Sequence, residues 1–197
     1  RTARRGGISQ GDVEDRMTLI RGTLDMTELG DVDLVLEAAF EEMEVKKLIF
    51  ARLDAICKQG AVLATNTSGL DIDEIAGVTK RPDAVIGLHF FSPANVMKLI
   101  EVVRADRTAK PVINTAMKLA KRLGKVPVLV GVCPGFVGNR ILHRREVEAQ
   151  HLILEGAMPW DVDRALYDFG FPMGPFAMND LAGLDIGWVR EASKGET

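Results

Sequence analysis

Apolar and polar positions alternate with two different periods through the first two thirds of the chain, and the switches between them mark the elements. Asp33 to Ala38 (DLVLEA) is an apolar run of strand length and predicts a buried strand. From Glu42 to Cys57, the apolar residues Val45, Leu48, Ile49, Leu53 and Ile56 recur every three or four positions, which predicts a helix with that face on a sheet. Further strands are expected at Ala61 to Thr65, Ala84 to Phe90, Leu99 to Val103 and Lys125 to Gly131. Helices are expected at Asp71 to Val78 and Thr108 to Leu123, and Ser9 with Asp12 three residues on reads as a cap opening a helix from Gln10 to Leu19.

This strand and helix alternation is the pattern of an α/β domain with a mostly parallel sheet. Cys133-Pro134-Gly135 interrupts it, and beyond the break the periodicity is helical throughout: Val137 to Glu155, Trp160 to Phe169 and Phe176 to Ala182, with Gly156, Gly170 and Gly183 as stops. Two parts are therefore expected, residues 1–133 and residues 134–197.

Composition narrows the class. The chain has 197 residues, 47% of them hydrophobic and 27% charged, enough for a sizeable core. A formal net charge of -3 offers no basic footprint for nucleic acid, and the one basic cluster, Arg1 to Arg5, reads as a terminal segment. Two cysteines, Cys57 and Cys133, are too few and too far apart for a disulfide scaffold or a metal-ligand pair, so no metal is expected and a reducing compartment fits. No run reaches the length of a membrane span.

The candidate chemistry lies on two neighbouring strands. In Ala84 to Phe90, residues Val85, Gly87 and His89 share one face; in the next strand Met97, Leu99, Glu101 and Val103 share one. Glu101 is thus a carboxylate flanked by apolar neighbours, costly unless paired, and His89 across the Ser92-Pro93 turn is the nearest partner. A His held by a carboxylate has its tautomer fixed and its protonated form favoured, as a general base requires. A purely structural hydrogen bond in a sheet accounts for the pair equally well.

The wider set of motifs decides more. Asn66-Thr67-Ser68, HFFSP at His89 to Pro93, GFVGNR at Gly135 to Arg140, PMGPF at Pro172 to Phe176 and DLAGLD at Asp180 to Asp185 together resemble the 3-hydroxyacyl-CoA dehydrogenase family, from about Ile8 to Arg190. The resemblance is nearest to the dehydrogenase part of multifunctional fatty-acid β-oxidation enzymes, in which an enoyl-CoA hydratase domain comes first. In that family the catalytic Glu follows the catalytic His by twelve residues, the spacing of His89 and Glu101. By this resemblance His89 is the base and Glu101 its partner, Ser68 and Asn139 hold the substrate's 3-hydroxyl and thioester, and Glu41, Lys46 and Asn66 lie on the cofactor side. The implied cofactor is NAD and the implied substrate an acyl-CoA.

Local structure also explains several of these residues. Ser68 suits a turn after a strand, Asn139 a helix start, Glu41 the first turn of a helix where acids are favoured, and Lys46 a solvated outer helix face.

The fold implied is a doubly wound, Rossmann-type parallel sheet lacking its first strands and glycine-rich turn, followed by an incomplete all-helical domain. No G-x-G-x-x-G follows a strand here, the chain opens at Arg1, and it stops soon after DLAGLD, so an internal piece of a longer protein is expected. Such a piece is expected to show no measurable NAD binding and no dehydrogenase activity by itself. The resemblance further implies a homodimer or a place in a larger multifunctional chain, working in bacterial cytoplasm, or in a peroxisome or mitochondrion of a eukaryote. A non-catalytic acyl-CoA-binding or subunit-interaction module is the alternative. A β-hydroxyacid-type dehydrogenase is disfavoured, because such enzymes use a Lys base where this chain offers His89 and Glu101.

Overall fold

The computed structural model describes residues 7–182. The cluster Arg1 to Arg5, the stop at Gly183 and the last three residues of DLAGLD lie outside the described residues. The chain divides into two compact units, Arg1–Val132 and Cys133–Thr197.

In the first unit the elements run α1 (Gln10–Thr18), β1 (Leu34–Glu37), α2 (Met43–Ile56), β2 (Val62–Thr65), α3 (Ile72–Gly77), β3 (Val85–Phe90), β4 (Leu99–Arg104), α4 (Lys110–Arg122) and β5 (Val126–Gly131). The cap expected at Ser9 is a full capping box: the Ser9 hydroxyl accepts from the Asp12 N–H and the Asp12 carboxylate accepts from the Ser9 N–H. The five strands form one Rossmann-type sheet in the order β1-β2-β3-β4-β5, parallel except where β3 and β4 pair antiparallel. That exception follows from the short Ser92-Pro93 connection, which is too brief for a parallel crossover.

Strand alternation gives the sheet two different faces. Val62, Ala64, Ile86, Leu88, Ile100 and Val102 pack against Ala116 and Ala120 of α4 and form an apolar core. The other face carries Thr65, Gly87 and Val103 in one register row with Glu37, and His89 with Glu101 in the next. Gly87 is required there by space: a Cβ on it would lie 2.4 Å from Ile72 Cδ1 and 2.8 Å from Val103 Cβ.

Two expectations need correction. Among the described residues β1 lies at the end of the strand order and is buried only at Glu37, with Leu36 40% exposed. The face of α2 is also rotated from the one the apolar spacing predicts: Leu48 is exposed, while Lys46, Phe50 and Leu53 are buried. An ammonium points inward because a buried carboxylate awaits it, and periodicity alone cannot register that pairing.

The second unit holds α5 (Gly138–Leu154), α6 (Pro159–Phe169) and α7 (Pro175–Ala182). Gly170 ends α6 in the left-handed region at φ 116, as a C-terminal stop requires. Asp163 on α6 accepts hydrogen bonds from the N–H groups of Phe176 and Ala177 and so caps α7. Among the described residues no helix is long and apolar enough to cross a membrane.

Candidate active site

His89 is the fifth residue of β3, and its register partner on β4 is Glu101. Side chains opposite one another on a sheet face are close enough to touch, and here His89 Nδ1 lies 2.8 Å from Glu101 Oε2. Both are buried, at 6% and 1% exposure, so the bond forms away from water, where it is strong. With Nδ1–H donating to the carboxylate, the tautomer assigned by this bond makes Nε2 the basic nitrogen. The Phe91 ring, 4.5 Å from the imidazole between centroids, packs beside it.

A second polar cluster occupies the carboxyl ends of β1 and β2. Lys46 Nζ donates to both oxygens of Glu37, at 2.8 and 3.1 Å, and lies 3.4 Å from Glu41 Oε2. Glu37 also accepts from the Ala39 N–H at 2.6 Å and the Thr65 hydroxyl at 2.7 Å. Lys46 and Glu37 are buried, so these bonds offset the cost of taking two charges out of water. Glu41 Oε1 accepts from the Thr67 hydroxyl at 2.7 Å, the Ser68 N–H at 2.6 Å and the Ser68 hydroxyl at 3.1 Å. Burial acts to raise the Glu41 carboxyl, but the bonds from Thr67 and Ser68 and the charge of Lys46 outweigh it and hold it below its ordinary value.

Asn66 ties the two clusters together. Its N–H donates to the Glu37 carbonyl, and its side-chain oxygen accepts from the Phe90 N–H at 2.8 Å, joining the end of β2 to the end of β3. His89, Glu101, Ser68, Glu41, Lys46 and Asn66 therefore all belong to the first unit, around the carboxyl ends of its parallel strands, where ligands bind in open α/β sheets. Asn139 belongs to the second unit, in the first turn of α5. Glu37 is the residue sequence reasoning passed over. It is a carboxylate in an apolar run, the same signal that drew attention to Glu101.

A mostly parallel sheet with polar loops and a buried His–Glu pair at its strand ends is that of a Rossmann-type dehydrogenase domain. The sequence matches the 3-hydroxyacyl-CoA dehydrogenase NAD-binding domain over residues 1–133 and the C-terminal domain of the same enzymes over residues 135–194. The chain belongs to the 3-hydroxyacyl-CoA dehydrogenase family. It is 54% identical over 194 residues to the peroxisomal bifunctional enzyme of Danio rerio, matching 98% of this chain and 26% of that protein. The crystal structure of 3-hydroxybutyryl-CoA dehydrogenase from Escherichia coli superposes with a TM-score of 0.88 at 41% identity, over 94% of this chain and 40% of that one. The dehydrogenase part of multifunctional enzyme 1 from C. elegans gives 0.67 at 32% identity, over 96% and 44%. The chain thus spans about a quarter of the length of the peroxisomal relatives it matches.

Proposed function

We propose that the full-length protein carrying this chain oxidises an L-3-hydroxyacyl-CoA to the 3-ketoacyl-CoA with NAD, as a dehydrogenase of fatty-acid β-oxidation, and that residues 1–197 by themselves are inactive. The observation that carries the proposal is the buried His89–Glu101 pair at the carboxyl end of β3. His89 Nε2 accepts the proton of the substrate's 3-hydroxyl as the hydride leaves C3, and Glu101 holds the ring in the required tautomer and balances the charge that develops on it. NAD, when bound, supplies the acceptor for that hydride.

The polar groups at the ends of β1 and β2 fit the nicotinamide half of such a cofactor. Glu41 presents a partly exposed carboxylate there, its side chain 43% accessible, with Lys46 behind it and Asn66 bracing the neighbouring strand end. Ser68 and, from the second unit, Asn139 are assigned to the substrate's 3-hydroxyl and thioester. Residues 1–133 would then form the cofactor part and residues 134–197 the helical, substrate and assembly part. The exposed Trp160, Tyr167 and Phe169 of that helical part suit a homodimer or packing within a larger multifunctional chain. The compartment follows the source, bacterial cytoplasm or a peroxisome or mitochondrion.

The test is the absorbance of reduced nicotinamide formed from NAD and an L-3-hydroxyacyl-CoA. Turnover is expected of the full-length protein and not of residues 1–197 alone. Acyl-CoA binding without turnover would replace this reading with that of a non-catalytic binding module.

A further inference from the structure

We propose that Glu37 sets the charge presented to the cofactor: it forms a neutral buried pair with Lys46, so that Glu41 alone carries net charge into the crevice and favours the oxidised nicotinamide. This inference rests on the reading of Glu41 as a group on the cofactor side. Glu37 is thereby a positioning residue, acting through Lys46 and Glu41.

The first ground is that Lys46 is only 1% exposed, so its ammonium is sealed from solvent and acts through the carboxylates it touches. The second is the asymmetry of its contacts. It lies 2.8 and 3.1 Å from the two oxygens of Glu37 but 3.4 Å from Glu41, so the closer, two-oxygen pairing is with Glu37. Glu37 is itself held from three directions, by Lys46 of α2, by the Thr65 hydroxyl at the end of β2, and by the Ala39 N–H just after β1. Glu41 is held differently: one oxygen takes all the bonds from Thr67 and Ser68, and the side chain remains 43% accessible.

Two carboxylates around one ammonium leave a single negative charge. Because Glu37 and Lys46 are paired out of solvent, that charge resides on Glu41 at the accessible end. An oxidised nicotinamide ring carries a positive charge that the reduced ring lacks, so a fixed negative charge beside it stabilises the oxidised form selectively. Neutralising Glu37 would free the ammonium to cancel Glu41, and the preference would fall. Removing Glu37 and Lys46 charges together would remove a neutral pair and restore it.

The experiment compares dissociation constants for NAD and for NADH, by calorimetry or by NADH fluorescence, in the full-length protein carrying this chain, in its Glu37→Gln variant and in the double variant Glu37→Gln/Lys46→Met. In Glu37→Gln the preference for NAD over NADH is expected to shift about tenfold toward NADH. In the double variant it is expected to return to within about twofold of the unaltered protein. A merely structural Glu37 would weaken both ligands alike, and an unchanged ratio in Glu37→Gln, or a double variant as shifted as the single, overturns the proposal. If the single variant does not fold, Lys46→Met decides: removing the ammonium leaves two carboxylates uncompensated, so the ratio is expected to shift toward NAD, and an unchanged ratio overturns the proposal. A ligand-free readout separates this inference from the assignment of function. The Glu41 carboxyl, followed by carbon NMR, is expected to titrate at lower pH in Glu37→Gln and to return toward its original midpoint in the double variant. Should the unaltered protein bind neither form of the cofactor, the functional reading fails, and an unmoved Glu41 midpoint in Glu37→Gln would overturn the charge-setting role as well.

Discussion

The same face of one sheet carries two buried charge clusters, built in opposite ways. His89 and Glu101 are register partners on adjacent strands, two side chains brought together by backbone pairing alone. Glu37, Lys46 and Glu41 come from a strand end, a helix and the segment between them, and are joined across elements whose relative placement only the folded core fixes. The first cluster is a single buried pair, and the proposed function gives it one task. In the second, an inner pair is sealed away, and an outer carboxylate is left at the accessible end. Pairing in a strand ladder suits a group that must hold one proton-transfer geometry, whereas a relayed pairing suits one whose effect is electrostatic and acts at a distance.

The largest effect that tests this contrast is expected at the strand pair. In the full-length protein, His89→Gln should lower kcat by about 10² to 10⁴ with little change in substrate affinity, the usual worth of a positioned base. Near-normal turnover would reduce the pair to a structural hydrogen bond. Glu101→Gln should slow the same step by roughly 10- to 100-fold, since a bond to a charged partner is worth about 1.5 to 3 kcal/mol.

The relayed cluster should answer first in stability. Lys46→Met leaves Glu37 buried without its countercharge, a loss of roughly 3 to 5 kcal/mol that denaturant unfolding would read. A cost below about 1 kcal/mol, typical of an exposed pair, would mean that Lys46 is not sealed in. Gly87→Ala probes the row between the clusters. Its new Cβ would meet Ile72 and Val103 well inside contact distance, and overpacking of this kind costs about 1 to 3 kcal/mol. A neutral result would show that β3 has room to shift.

The smallest effect concerns acid. Because Glu41 is held below its ordinary value when folded, its contribution to stability is fully present above the ordinary Glu range and is lost as the pH falls through the lowered value. Partial exposure keeps this contribution small, within about 1 kcal/mol. Comparing the acid limb of unfolding with that of Glu41→Gln would measure it, and coincident limbs would show that the bonds from Thr67 and Ser68 carry no net advantage for the charged form.

What the sequence by itself determined follows from short-range rules. Strand and helix periods located the elements, the break at Cys133 to Gly135 separated a sheet-forming stretch from a helical one, and two-residue alternation placed His89 and Glu101 on facing positions. That pairing was legible because in a hairpin of strands a neighbour in sequence is a neighbour in space. The resemblance in motifs added which chemistry such a pair serves. Lys46 shows where such reading stops: on a helix, which face turns inward depends on what the rest of the fold offers to meet it, and a charged residue joins the buried face only when a partner is already there. Glu37 supplies that partner from nine residues away, with Thr65 completing it from the next strand. Only the tertiary structure could decide this, because the free energy that keeps an ammonium out of water resides in bonds between elements, and no local period records them.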